Sequence, residues 1–395
     1  MNSIKKKIEW DKYILALSPI FLIFYISNET YAIDYRAFYL AGKSVLNNLN
    51  PYLNHISLSS DYYGPINSEL SKFSGWKYPP LASYIFTPLA SLPYEISKNI
   101  FNLISLVSVS LLTFFIIKKR IFYINPFSLI IVGISFPVLS IISRGQVEIL
   151  IVCIALISLY FYKQDKIFIS ASLIAILSFI KVFPLLLSLA FVKSYRKKKF
   201  FIYLIISLLI LYLLNLFLCP LEWRQSFIER ITVPWNQMPI GELRELPKNL
   251  GVIKDSMMVR TSDARNLFHS HFFVFGFANP LLSNNLFLSA IIGTFGALIC
   301  LFKYSKYSIT LCFFTIMNWI NIVNPISWIM GLFWYVPLFI FSYKKIKPSL
   351  KIIIALPLIL PPFLNASGYL AALISLFIMQ FFSRESLNTF LSSKD

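Results

Sequence analysis

The feature that most constrains this chain is a series of apolar runs of fifteen to twenty residues, recurring from Tyr13 to Phe382 and separated by short basic clusters. Hydrocarbon offers backbone amides no partner, so each run must close its hydrogen bonds internally and fold as a helix. Composition agrees. Of the 395 residues, 57% are hydrophobic and 13% charged, whereas a soluble domain carries about 25% charged residues. Length alone would suggest two or three soluble domains; the apolar distribution overrides that. The 38 Phe and 22 Tyr suit lipid-facing surfaces and interfacial belts.

A formal charge of +19 raises nucleic acid or a membrane surface as partner, and the placement of the charge decides between them. Lys5, Lys6 and Lys7 precede the first run, and Lys118, Lys119 and Arg120 follow the second. Lys193, Arg196, Lys197, Lys198 and Lys199 lie between later ones, as do Lys303 with Lys306, and Lys344, Lys345 and Lys347. Short-loop clusters of this kind mark the cytoplasmic side of a membrane protein, so the bilayer is the expected partner and nucleic acid is not. Cys153, Cys219, Cys300 and Cys312 form no CxxC pair, which argues against a disulfide framework and a zinc site.

Residues 1–12 are expected inside, followed by a span over about 13–27 and a long outer segment over about 28–95. A signal peptide cleaved after Thr30-Tyr31-Ala32 is the lesser alternative, because Pro19 interrupts the apolar core. Spans are expected at about 97–117, 123–142 and 147–162, then a short hairpin at 167–181 and 183–193, then 200–218. A second outer segment, about 219–283, precedes crossings near 284–302, 307–323, 327–342, 349–364 and 367–382. The expected architecture is therefore an all-α polytopic membrane protein of about 12 helices, with a single domain over 1–395 and both termini cytoplasmic. The outer segments mix aromatics with prolines, as in Tyr35, Tyr39, Trp76 and Tyr78 of the first and Trp223, Phe227 and Trp235 of the second. Such stretches suit helices lying in the interface.

With 17 acidic residues in the whole chain, each outer carboxylate is informative. Asp34 sits just past the first span, where it would either cap an outer helix or act as a base. Arg144 and Lys181 interrupt apolar sequence; intramembrane charge is costly and faces a partner or a wet cavity. Interfacial anchoring of Arg144 and snorkelling of Lys181 are the plainer readings. Gln146 and Glu148 head the next helix, where a carboxylate also complements the helix dipole. His269 and His271 form an H-x-H pair with no further ligand evident, so no metal site is expected. Arg260 and Arg265 could meet an anion or stay solvated.

In order along the chain stand Asp34, Phe38-Tyr39-x-Ala41, Asn50-Pro51-Tyr52, Tyr78-Pro79-Pro80-Leu81, Gly145-Gln146-Val147-Glu148, Lys181-Val182-Phe183-Pro184 and Ser327-Trp328. This ordered set resembles the bacterial polyprenol-phosphate-mannose-dependent mannosyltransferases of the glycosyltransferase C superfamily, over about residues 30–345. The resemblance implies a catalytic base at Asp34 and a polyprenyl-phosphate-linked sugar as donor, with no cofactor. Arg144 and Lys181 would bind the donor phosphate. Tyr35, Arg36, Tyr39, Tyr78, Gln146, Glu148, Arg260, Arg265, His269, His271 and Trp328 are then candidate substrate contacts. Ile329-Met330 follow Trp328 where the family carries a polar residue or histidine, which is a departure at an acceptor contact.

The chemistry is compatible. Inverting transfer needs one base for the acceptor hydroxyl, and a lipid phosphate leaves without a general acid, unlike the paired-carboxylate case of glycosidases. No DxD triplet is present, so nucleotide-sugar chemistry on a divalent metal has no visible ligand set. The expected activity is transfer of a hexose, mannose by the resemblance, to a lipid or glycan acceptor at the outer face of a bacterial inner membrane. A lipid or sugar transporter or flippase is the alternative, although transporters often show related halves and this chain shows no repeat.

Overall fold

The structure is a computed structural model that describes residues 9–27, 32–53, 76–119, 121–232, 276–278, 291, 294–299, 302, 308–323, 326–343, 346 and 348–359. Helix α1 spans Trp10–Ser27 and α2 Ile33–Leu46. Two single turns follow, α3 (Pro80–Ser83) and α4 (Thr87–Ala90), and then α5 (Tyr94–Lys119). Next come α6 (Pro126–Gly133), α7 (Phe136–Arg144), α8 (Glu148–Lys163) and α9 (Ile167–Ile180). A 3₁₀ segment, Phe183–Phe191, leads to α10 (Lys197–Leu218) and α11 (Leu221–Thr232). The later described part holds α12 (Ile309–Val323), a 3₁₀ turn (Ile329–Tyr335), α13 (Val336–Tyr343) and α14 (Pro348–Ile359).

One departure from an all-helical chain is a short antiparallel ribbon. Strand β1 (Gly276–Ala278) pairs with β2 (Ile326–Trp328), Phe277 opposite Ser327. The reading of 327–342 as one span is corrected accordingly: Ser327-Trp328 is strand. Asn324-Pro325 precede it, and proline disfavours helix at the residue before it.

Among the described residues, α5 and α10 are long and apolar enough to cross a bilayer. The pair α6–α7 adds a third if it counts as one broken span, bent by 50°. The straight span read at 123–142 is thus two helices. Asn125 caps α6 by accepting from the Phe127 N–H at 2.9 Å, and α7 restarts after Ser135 with Pro137 in its first turn, where proline is tolerated. The 183–193 arm of the expected hairpin is 3₁₀ over Phe183–Phe191. A 3₁₀ helix rises about 2.0 Å per residue against 1.5 Å for α, so this short arm matches the length of the longer α9 beside it. The expected spans at 284–302 and 367–382 lie largely or wholly outside the described residues.

The elements share two ends. At one, Trp10 stacks on Phe114 with centroids 4.9 Å apart, and the Tyr13 hydroxyl donates to the Ile124 carbonyl at 3.0 Å. Arg196 donates to the Tyr162 carbonyl at 3.1 Å and pairs with Asp165 at 2.9 Å. Lys118, Lys119 and Lys163 close helices there, and Lys197–Lys199 open α10. At the opposite end, the Tyr84 hydroxyl donates to the Leu218 carbonyl at 2.8 Å, and Asn215 accepts from the Leu81 N–H at 3.3 Å. The 22 residues of α10 separate the two ends by about 30 Å.

An aromatic core holds α2 at the second end. Phe38 stacks on Phe86 at 4.7 Å and meets Trp76 edge-on at 5.9 Å, while Tyr35 lies 4.7 Å from Phe101. Backbones approach closely here. A Cβ on Gly42 would sit 2.6 Å from the Phe86 carbonyl oxygen, so only glycine lets α2 lie against the turn before α4.

Candidate functional site

Four helix ends and one loop meet at the end away from the basic clusters. Asp34 lies in the first turn of α2, but Ala32 occupies the cap position and makes no side-chain cap bond. The capping reading of Asp34 therefore fails. Both of its carboxylate oxygens accept from Arg144 instead: Nη2 donates to Oδ1 at 2.8 Å and Nε to Oδ2. The pair is well buried, with side chains 9% and 12% exposed. A planar guanidinium matches a carboxylate in two parallel bonds, which orients it as well as charging it.

Gly145 makes that meeting possible. It ends α7 in the left-handed region, at φ +68°, a conformation that satisfies terminal carbonyls and favours glycine. A Cβ there would lie 2.4 Å from the Tyr35 Cβ and 3.1 Å from the Ala32 Cβ. The turn between α7 and α8 therefore rests directly on the first turn of α2.

Glu148 opens α8 and Lys181 follows α9. The tight turn at residues 164–166 runs these helices antiparallel, so the start of one lies beside the end of the other. Lys181 Nζ donates to Glu148 Oε1. Glu148 is 6% exposed, and the dipole-complementing and snorkelling readings give way to an ion pair. Glu148 Oε2 and Gln146 Oε1 are buried acceptors without a hydrogen bond to the protein, a costly arrangement that calls for an explanation. Lys181 Nζ also lies 5.8 Å from the Tyr78 ring centroid. Burial pushes the Tyr78 phenol up to about 12, with Lys181 opposing the rise and Glu148 and Asp34 adding to it. That phenol keeps its proton at any physiological pH. Lys181, Glu148 and Asp34 thus all act on the Tyr78 phenol, which brings the two ion pairs together around one ring.

Other candidate residues sit elsewhere. Tyr35 is fully buried, with its hydroxyl on Ser97, and Tyr39 donates to the Leu92 carbonyl at 2.9 Å. Arg36 is buried to 1% exposure. All three are buried in α2. Trp328 is placed by its backbone in β2. Arg260, Arg265, His269 and His271 lie outside the described residues. Sequence reasoning missed Gly145 as the docking point, although a glycine directly after a helix-ending arginine is a readable C-cap signal. It also missed that Arg144 and Lys181 each hold a carboxylate.

The arrangement can bind an anion at two cations, take a proton at Asp34 and accept hydroxyl donors at Glu148 and Gln146. Residues 76–255, somewhat under half of the chain, match the model of glycosyltransferase family 87. Neither a curated protein nor a solved structure matches the chain. The family match and the apolar helices indicate an integral membrane protein with glycosyltransferase character. Tyr78, Arg144, Gln146, Glu148 and Lys181 fall within the matched stretch, and Asp34 lies before it.

Proposed function

We propose that this chain is an inverting membrane glycosyltransferase that moves a hexose from a polyprenyl-phosphate donor to a lipid or glycan acceptor. The observation that carries the reading is the buried group Asp34–Arg144 and Glu148–Lys181 at one end of the apolar helices. It brings two carboxylates and two cations together at the end of the helices away from the basic clusters, which suits a lipid phosphate. Mannose is the sugar that the sequence resemblance favours.

In the reaction, an acceptor oxygen forms a bond to the anomeric carbon as the bond from that carbon to the phosphate oxygen breaks. The electron pair stays on the phosphate, leaving polyprenyl phosphate with one more negative charge. The acceptor proton passes to Asp34. Arg144 and Lys181 stabilise the charge that develops on the phosphate. Because Arg144 also holds Asp34, the donor phosphate competes for the guanidinium and frees a carboxylate oxygen for the acceptor hydroxyl. The buried acceptors Glu148 Oε2 and Gln146 Oε1 suit the hydroxyls of the sugar. The basic helix ends on the far side support a cytoplasmic placement for the termini and an outer one for the site.

The test is transfer from labelled polyprenyl-phosphate sugars in membranes. Asp34→Asn keeps the shape of the side chain and removes the base, and should lower transfer by about 10²- to 10⁴-fold. Undiminished transfer by that variant overturns the base assignment. A wild type that is inactive with every such donor, yet moves an intact lipid between leaflets, replaces the reading with a flippase.

A further inference from the structure

A chain of hydrogen bonds joins Tyr78 to α11. Asn50 is 5% exposed and sits at its centre. Its Nδ2 donates to Glu222 Oε1 at 3.1 Å and to Ser226 Oγ at 3.0 Å, both on α11. Its Oδ1 accepts from the Tyr52 N–H at 3.0 Å, which fixes the turn that carries Tyr52. The Tyr52 hydroxyl donates to the Tyr78 carbonyl at 2.6 Å, and the Tyr52 ring lies 6.2 Å from Phe227 of α11. Tyr52 itself is 2% exposed.

Local structure explains why Tyr78 needs this support. The nearby N–H groups are engaged elsewhere, that of Leu81 on Asn215 and that of Ala82 on the Pro79 carbonyl, so the Tyr78 carbonyl takes a donor from a distant turn. Its ring is held from the other side by Phe38 at 5.3 Å and Trp76 at 4.9 Å.

We infer that Asn50 and Tyr52 are positioning residues, which carry the placement of α11 through Tyr78 to the Lys181 cation. They touch no reacting atom. Their effect is to hold Tyr78 against Lys181, so that the ammonium stays between Glu148 and the donor phosphate. Since α11 opens the second outer segment, the position of this helix is transmitted to the donor site. This inference rests on the reading of Lys181 as a phosphate ligand.

The experiment measures donor KM, acceptor KM and kcat of the full chain in membranes, using a polyprenyl-phosphate sugar. Tyr52→Phe removes one hydroxyl and keeps the ring. It should raise donor KM by about 3- to 10-fold, the worth of one net hydrogen bond, with kcat and acceptor KM within about twofold. Asn50→Asp, which cannot donate to Glu222, should do the same. In a Tyr78→Leu background, Tyr52→Phe should add nothing further, because its route to Lys181 is gone. Additive losses in that double variant, or equal losses in kcat and both KM values, overturn the inference and leave Tyr52 as a packing residue. Wild-type transfer with an unchanged donor KM in Tyr52→Phe overturns it as well. Absence of transfer by the wild type with every such donor sinks the underlying reading instead.

Discussion

Gly145 shows how much of the site depends on a missing side chain. Its backbone is left-handed, and any Cβ added to it would press into Tyr35 and Ala32. Alanine would meet both penalties at once, the conformational one and the steric one. Gly145→Ala should therefore lower stability by about 1–3 kcal/mol and weaken transfer by displacing Arg144 from Asp34. Thermal unfolding in detergent or nanodiscs reads the first effect and the transfer assay the second; a variant unchanged in both contradicts this account. At the same scale, the sequence marked Asp34, Arg144, Glu148 and Lys181 as unusual, because charge next to apolar sequence is costly wherever it sits. It did not reveal the pairing, since Asp34 and Arg144 stand 110 positions apart.

Among the elements, the α8–α9 hairpin is the clearest unit. Glu148 and Lys181 are its two tips, and the Lys163–Lys166 turn is its base. Removing one partner of a buried ion pair strands the other charge, while removing both at once leaves an apolar contact. Glu148→Leu should cost about 2–3 kcal/mol, less than the ~3–5 of a fully buried pair, because the Lys181 side chain is 22% exposed. Glu148→Leu combined with Lys181→Met should recover most of that loss in thermal unfolding while transfer stays abolished. A double variant less stable than the single one would exclude the pair as described. The helix ends were legible where a basic cluster punctuated them, as at Lys118-Lys119 and Lys163. The break between α6 and α7 was not, since Ile134-Ser135 reads as ordinary apolar sequence and proline is also acceptable at a helix start.

For the whole molecule, the separation of a basic end from a site end makes a prediction about sidedness. Leu53 is 48% exposed on the first outer segment, and Tyr195 is 83% exposed beside Lys197–Lys199. In a chain whose native cysteines are replaced, Leu53→Cys should react with an impermeant maleimide added to intact cells. Tyr195→Cys should react only after permeabilisation. Labelling of Tyr195→Cys in intact cells would reverse the orientation and, with it, the outer placement of the site.

The opening pattern of apolar runs and basic clusters determined, without help from the fold, that this chain is built from helices suited to a bilayer. That property is local: a backbone amide in hydrocarbon must find its partner within a few residues, whatever the rest of the chain does. Tertiary structure alone decided which charge neutralises which. Asp34 meets Arg144, Glu148 meets Lys181, and Asn50 reaches Glu222 across 172 positions. Those choices follow from which helix ends pack together, and packing is settled by shape, including the absent Cβ of Gly145, rather than by the pattern of hydrophobicity along the chain.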